Sequence, residues 1–308
     1  MYIIDFFKRM TRKSNIPVLI YLVLNVFVIA GILSILFSME QYFPFWKALL
    51  VGIVVYAISL VLALSPFGEW VLRLQTGCKK IKRVEHINLL EPIFREVYEN
   101  AKKLDPNLSD DIQLFMNNDE SPNAFATGRK TICVTKGLLK MPAEQIKATL
   151  AHEFGHLSHK DTDLILVVTV GNMIVSAVIL GIKLIIEFYH LIAIIVSACL
   201  GGGEGVIASL LTSLYHLLIT AIVAGLTKLW TWIGNVLVMK SSRDNEYEAD
   251  EFAFNLGLGN ELCALLDNLG DSGAQGLFAT LASSHPDNDG RIAKLQELGA
   301  TYRANCGA

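Results

Sequence analysis

Charge is what this sequence has least of. Only 18% of its 308 residues are Asp, Glu, Lys or Arg, against about a quarter in an ordinary soluble domain. Hydrophobic residues make up 53% and mean hydropathy is +0.45, so the balance is tilted toward lipid. The few charges nearly cancel: a formal net charge of −3 makes no electrostatic case for nucleic acid or another polyanionic partner. Paired cysteines are also missing. Cys78, Cys133, Cys199, Cys263 and Cys306 are scattered, odd in number and never in C-x-x-C spacing, which argues against a disulfide framework and a thiolate zinc site alike. Free thiols in a reducing compartment are expected.

Polar interruptions are scarce in the first sixty-five residues. Apolar residues run from Ile16 to Phe37 with only Asn25 and Ser34 between them. As helix this run reaches roughly 33 Å, enough to cross a bilayer core of about 30 Å. A second run extends from Trp46 to Ser65 and stops at Ser65-Pro66. Lys8, Arg9, Arg12 and Lys13 give the first run the basic start of a signal peptide. It is too long for one, however, and Ser38-Met39-Glu40-Gln41 is no cleavage site, so a retained anchor is expected. Arg73, Lys79, Lys80, Lys82 and Arg83 follow the second run, whereas the link between the runs carries only Lys47 and Glu40. The positive-inside rule then puts the N-terminus and the chain beyond about residue 66 in the cytoplasm.

Residues 84–160 have the composition of soluble protein. Leu90, Phe94, Val97, Ala101 and Leu104 recur at helical spacing until Asp105-Pro106-Asn107. Ile112–Met116 and Thr131–Thr135 are expected to be short strands, separated by the polar and small-residue segment 117–128. Pro142 suits the first turn of a helix continuing to His159. From Leu164 to about Met239 the chain is apolar again. Its full charges there are Lys183, Glu187, Glu204 and Lys228, and its break is Gly201-Gly202-Gly203. Spans are expected at 164–182 and 206–227, with 183–205 re-entrant or interfacial. Soluble composition returns from residue 240.

The chemistry concentrates in His152-Glu153-Phe154-Gly155-His156, an H-E-x-x-H pattern inside the expected amphipathic helix. Residues four apart share a helix face, so His152 and His156 can grip one metal ion, with Glu153 placed to take a proton from metal-bound water. A third ligand is required. The metzincin pattern fails, because its positions hold His159 and Thr162. His159 itself remains a candidate, and so do the acids of residues 243–251. Glu246 and Asp250 share a face, so one can bind metal while the other orients a ligand histidine. Spacing alone leaves Glu248 and Glu251 as rivals. His156 and any such acid must also meet on one side of the bilayer, so the apolar stretch between them must cross an even number of times.

Two N-terminal spans, the segment Asn123-Ala124-Phe125-Ala126-Thr127-Gly128, H-E-F-G-H, a hydrophobic insertion and Glu246-Tyr247-Glu248-Ala249-Asp250 together resemble the HtpX family. That family shares a clan of membrane gluzincins with the CAAX prenyl endopeptidases. The resemblance implies a membrane α-helical protein with an α+β gluzincin-like catalytic domain, four transmembrane helices and a small β-sheet edge at the substrate cleft. It implies a transmembrane hairpin at 1–66, a cytoplasmic zinc-peptidase domain from 67–163 and 228–308, and an inserted transmembrane pair at 164–227. Glu246 would complete a Zn2+ site with His152 and His156, Asp250 would support it, and Asn123 would lie along the cleft. His285 of His285-Pro286 would stabilise the transition state, and Arg291 of Arg291-Ile292 would support the active-site carboxylates. Glu153 would be the general base. The implied substrates are damaged or misfolded membrane proteins, cut at the inner membrane of a bacterium. A prenyl-protein endopeptidase and a non-catalytic membrane scaffold are the rival readings.

Overall fold

The computed structural model describes residues 15–36, 44–269 and 288–303. Two compact units divide them. One draws on residues 15–22, 57–170, 237–269 and 288–303, the other on 23–36, 44–56 and 171–236. Among the described residues, four helices are long and apolar enough to cross a membrane, at Ile16–Ser34, Phe45–Ala63, Ser176–Cys199 and Gly202–Gly234. The protein is a multi-pass membrane protein, helical apart from a small sheet.

The second unit is made of pieces of four long helices: α1 (Ile16–Leu36), α2 (Phe45–Ala63), α6 (Asp161–Leu200) and α7 (Gly202–Asn255). Leu184, Leu210, Leu217 and Trp232 are each more than half exposed. Such a sheath costs heavily in water and nothing in hydrocarbon. The polar interruption noted at Asn25 is buried and satisfied: its amide donates to Tyr56 Oη at 3.1 Å and its carbonyl accepts from Trp230 Nε1 at 3.0 Å. The expected re-entrant piece at 183–205 is instead helix through Leu200. No breaker precedes Gly201, and Gly201 and Gly202 alone turn the chain, at φ +65° and +57°, where L side chains are strained.

The first unit holds a four-stranded sheet of β1 (Lys79–Lys80), β2 (Gln113–Asn117), β3 (Ala124–Thr127) and β4 (Thr131–Thr135), in the order β1-β2-β4-β3. β2 runs parallel to β4, and β3 antiparallel to it. The polar and small-residue segment 117–128 thus contains the edge strand β3, while β4 lies in the interior. The β3–β4 turn needs Gly128, which has φ +62° and whose added Cβ would fall 2.2 Å from Glu69 Cγ. Glu69 belongs to α3 (Pro66–Gln75), started by Ser65 capping the Phe67 N–H. Its carboxylate accepts the Arg129 N–H at 2.6 Å.

Helices α4 (Val84–Leu104), α5 (Ala143–His159), α8 (Gly259–Leu269) and α9 (Asn288–Leu298) close around the sheet. Leu90, Phe94, Val97 and Ala101 of the stripe read from the sequence are buried, whereas Leu104 at the helix end is exposed. Ile146, Leu150 and Phe154 of α5 are sealed, and the Phe154 ring lies 5.5 Å from Phe94 and 5.8 Å from Tyr98. Removing Phe154 beyond Cβ would cost about 3–5 kcal/mol by the usual core truncation scale. That core fixes which face of α5 is left for chemistry.

Candidate metal centre

His152 and His156 project from the last two turns of α5, and Glu246 from α7. Their ligand atoms all lie within 4.8 Å of one another. The two Nε2 atoms are 3.1 Å apart. Glu246 Oε2 is 3.4 Å from His152 Nε2 and Oε1 is 3.4 Å from His156 Nε2. Metal–nitrogen bonds near 2.05 Å at tetrahedral angles separate neighbouring donors by about 3.3 Å, so the set fits one ion. Spacing had left Glu248 and Glu251 open. The structure separates them from the trio: Glu248 Oε2 lies 4.0 Å from His159 Nδ1, and Glu251 is exposed. His159 stacks edge-on against Phe252 at 6.1 Å and is not one of the converging donors.

Residues 91–299 match the family model described as Peptidase family M48. The chain belongs to that family. It is also similar to Protease HtpX of Idiomarina loihiensis, 26% identical over 251 residues that cover 75% of this chain and 79% of that one. Protease HtpX of Alcanivorax borkumensis is 26% identical over 269 residues, with 78% and 80% covered. A crystal structure of S. mikatae Ste24p matches 92% of this chain and 66% of that one at 18% identity and a TM-score of 0.38, too loose a likeness to locate residues by. The chain is thus an HtpX-type M48 peptidase.

Around the M48 donor set, each imidazole is oriented through its far nitrogen. His152 Nδ1 lies 2.8 Å from Asp250 Oδ1, and His156 Nδ1 lies 3.1 Å from Asp161 Oδ2. An Nδ1–H given to a carboxylate leaves the Nε2 lone pair facing the other donors. Asp250 lies one helical turn beyond Glu246 on α7. Asp161 is a residue that sequence reasoning missed. It reaches back because Lys160, at φ 61° and ψ 30°, ends α5 in a left-handed turn, which reverses the chain beside its own last turn. An acid directly after the helix was the available signal.

Arg291, on α9, meets Asp250 in a two-pronged pair, Nε to Oδ2 at 2.8 Å and Nη2 to Oδ1 at 2.6 Å, and its Nη1 is 3.7 Å from Glu246 Oε2. Burial favours a neutral Asp250, but the guanidinium and His152 outweigh it and hold the carboxyl below its usual range. Glu153 donates no hydrogen. Its Oε2 accepts the Ala126 N–H from edge strand β3 at 2.6 Å, and burial, partly offset by the histidines, raises its pKa. Glu153, Asp161, Glu246 and Asp250 thus crowd the two histidines, while the Arg291 guanidinium reaches Asp250 and Glu246. The acidic surplus appears in the histidines: burial opposes their charge, yet Asp250 and Glu246 raise His152, and Glu246, Asp161 and Glu153 raise His156 well above the ordinary value. A divalent cation offsets the same surplus, which is a second sense in which the residues fit a metal.

Asn123 stands one residue before β3, its backbone N–H on Thr135 Oγ1 at 2.8 Å. His285 lies outside the described residues. A second residue missed from sequence is Arg129, whose paired contacts with Asp163 at 2.7 and 2.8 Å tie the β3–β4 turn to the start of α6.

Proposed function

We propose that this chain is a zinc endopeptidase of the bacterial inner membrane that cuts damaged or misfolded membrane proteins on the cytoplasmic side. The observation that carries this reading is the convergence of His152, His156 and Glu246, with Glu153 between the two histidines on the same helix. Zinc bound there would polarise the scissile carbonyl and bring the pKa of a water toward about 7. Glu153 is placed between the two histidines as the group that would accept a proton from the attacking water and give it to the leaving amine. Its raised pKa suits both halves of the exchange, and the Ala126 N–H keeps the carboxylate aimed.

Substrate lies along β3. β4 is interior to the sheet and β3 is at its edge, so the capture edge is 124–127. Antiparallel pairing alternates, and because Asn123 O accepts the Thr135 N–H, Ala124 and Ala126 turn their backbone groups away from β4. With the Ala126 N–H held by Glu153, an extended peptide can add to this edge through Ala124 and the Ala126 carbonyl. Asn123 lines the same edge, His285 supplies an oxyanion donor, and Arg291 holds Asp250 and Glu246 charged. The basic residues flanking the first two spans support a cytoplasmic site. A complete donor set with its orienting carboxylates speaks against a non-catalytic scaffold.

The test compares wild type with Glu153→Gln, both purified in detergent without chelator, for zinc content and casein cleavage. About one catalytic zinc in each, with cleavage in wild type alone, supports the assignment. Full activity in Glu153→Gln sinks it.

A further inference from the structure

A second set of two imidazoles and a carboxylate lies in the membrane unit, far along the chain from the first. Glu187 and His190 are three residues apart on α6, and His216 comes from α7. One ligand atom from each lies within 4.8 Å of the other two. The two rings are stacked at 4.0 Å with 6° between their planes, and His216 Nε2 is 3.0 Å from Glu187 Oε1. Ser213 Oγ is 3.5 Å from His190 Nε2, and Thr220 Oγ1 is 3.5 Å from His216 Nε2.

We propose that Glu187, His190 and His216 form a second divalent transition-metal site that staples α6 to α7. The surroundings make an accidental meeting costly. All three lie within the candidate spans Ser176–Cys199 and Gly202–Gly234, where an ionisable side chain is expensive unless partnered. Two of the chain's seven histidines fall in this apolar stretch, and they lie face to face. Two imidazolium rings at that spacing repel, whereas two neutral ones each offer a lone pair to a shared cation. Glu-x-x-His on one helix with a histidine from its neighbour is a workable donor arrangement inside a helical bundle. Two nitrogens and one carboxylate oxygen suit Zn2+ or Cu2+ rather than Ca2+ or Mg2+. Lipid gives two apolar helices no hydrophobic reason to associate, so a coordinate bond between them would fix their register.

This proposal stands apart from the peptidase reading, because the second ion can be counted with the first site disabled. Full-length protein in detergent is equilibrated with zinc, desalted and assayed for metal. Wild type should hold about two ions per chain, and His156→Ala with Glu246→Ala about one, each His2Glu set taking a single ion. Adding His216→Phe to that double variant should remove the remaining ion. Adding His216→Cys instead, which substitutes one zinc ligand for another, should keep it. Cobalt in the double variant should give the visible absorption of a low-coordinate nitrogen site, absent with His216→Phe. A double variant that holds no ion overturns the proposal even if the His216 variants fail to fold. So does an ion that survives His216→Phe.

Discussion

Gly155→Ala tests whether the site depends on close contact between two backbones. Gly155 lies between Glu153 and His156 on α5, where a Cβ would fall 2.9 Å from Ala249 Cα, 3.0 Å from Ala249 O and 3.1 Å from Phe252 Cβ. Ala249 and Phe252 belong to α7, the helix that carries Glu246 and Asp250. Two effects oppose each other. Alanine is the better helix former by about 1 kcal/mol, so propensity alone predicts a more stable protein. Overpacking costs about 1–3 kcal/mol, and most where backbone rather than a flexible side-chain end must move. Here two of the three atoms are backbone, so the clash should win by about 1 kcal/mol or more. The strain pushes Glu246 away from His152 and His156, so zinc affinity should fall by about tenfold for each 1.4 kcal/mol that reaches the site. Competition with a chromophoric chelator reads the affinity, and thermal denaturation in detergent reads the stability. A variant with a raised midpoint and unchanged zinc affinity would refute the reasoning, because α5 and α7 would then not be held at this distance.

Asp161→Asn should retain the fold but weaken zinc binding by about 10–100-fold, the usual cost of losing a histidine's orienting carboxylate; unchanged chelator competition would count against the Asp161–His156 contact. Arg291→Met leaves buried Asp250 and Glu246 without their guanidinium and should cost about 3–5 kcal/mol. Asp250 is held low in the native protein, so its contribution is present above the unfolded carboxyl range and lost as pH falls through the depressed value. The stability gap between Arg291→Met and wild type should therefore be wider at pH 7 than at pH 3. Equal gaps would deny Asp250 that role. In metal-free protein His152 and His156 are raised, so their charged forms stabilise the fold below the ordinary histidine pKa, and that support fades as pH climbs through the raised values. Zinc must displace those protons. Calorimetry near pH 7 in buffers of different ionisation enthalpy should show proton release on binding, and buffer-independent heat would contradict the raised values.

Local spacing carried a good part of this protein. The first two spans follow from run length, and His152, Glu153 and His156 from a four-residue helical repeat, because both depend only on neighbours along the chain. The buried stripe of Leu90, Phe94, Val97 and Ala101 was legible for the same reason. Glu246 was not decided by spacing. An acid on a helix faces metal or solvent according to what packs beside it, and it was the contact of α7 with α5 across Gly155 and Ala249 that turned Glu246 inward and left Glu248 and Glu251 outside. Tertiary structure also decided that β3 is the sheet edge, since strand order depends on pairing between distant segments rather than on the character of either strand. The left-handed turn at Lys160 made Asp161 a partner of His156, and the meeting of α6 with α7 brought Glu187 and His190 to His216. A sequence states which chemical groups exist and how often they recur; only the folded chain sets which of them, tens of residues apart, come within the few ångströms over which a lone pair or a charge acts.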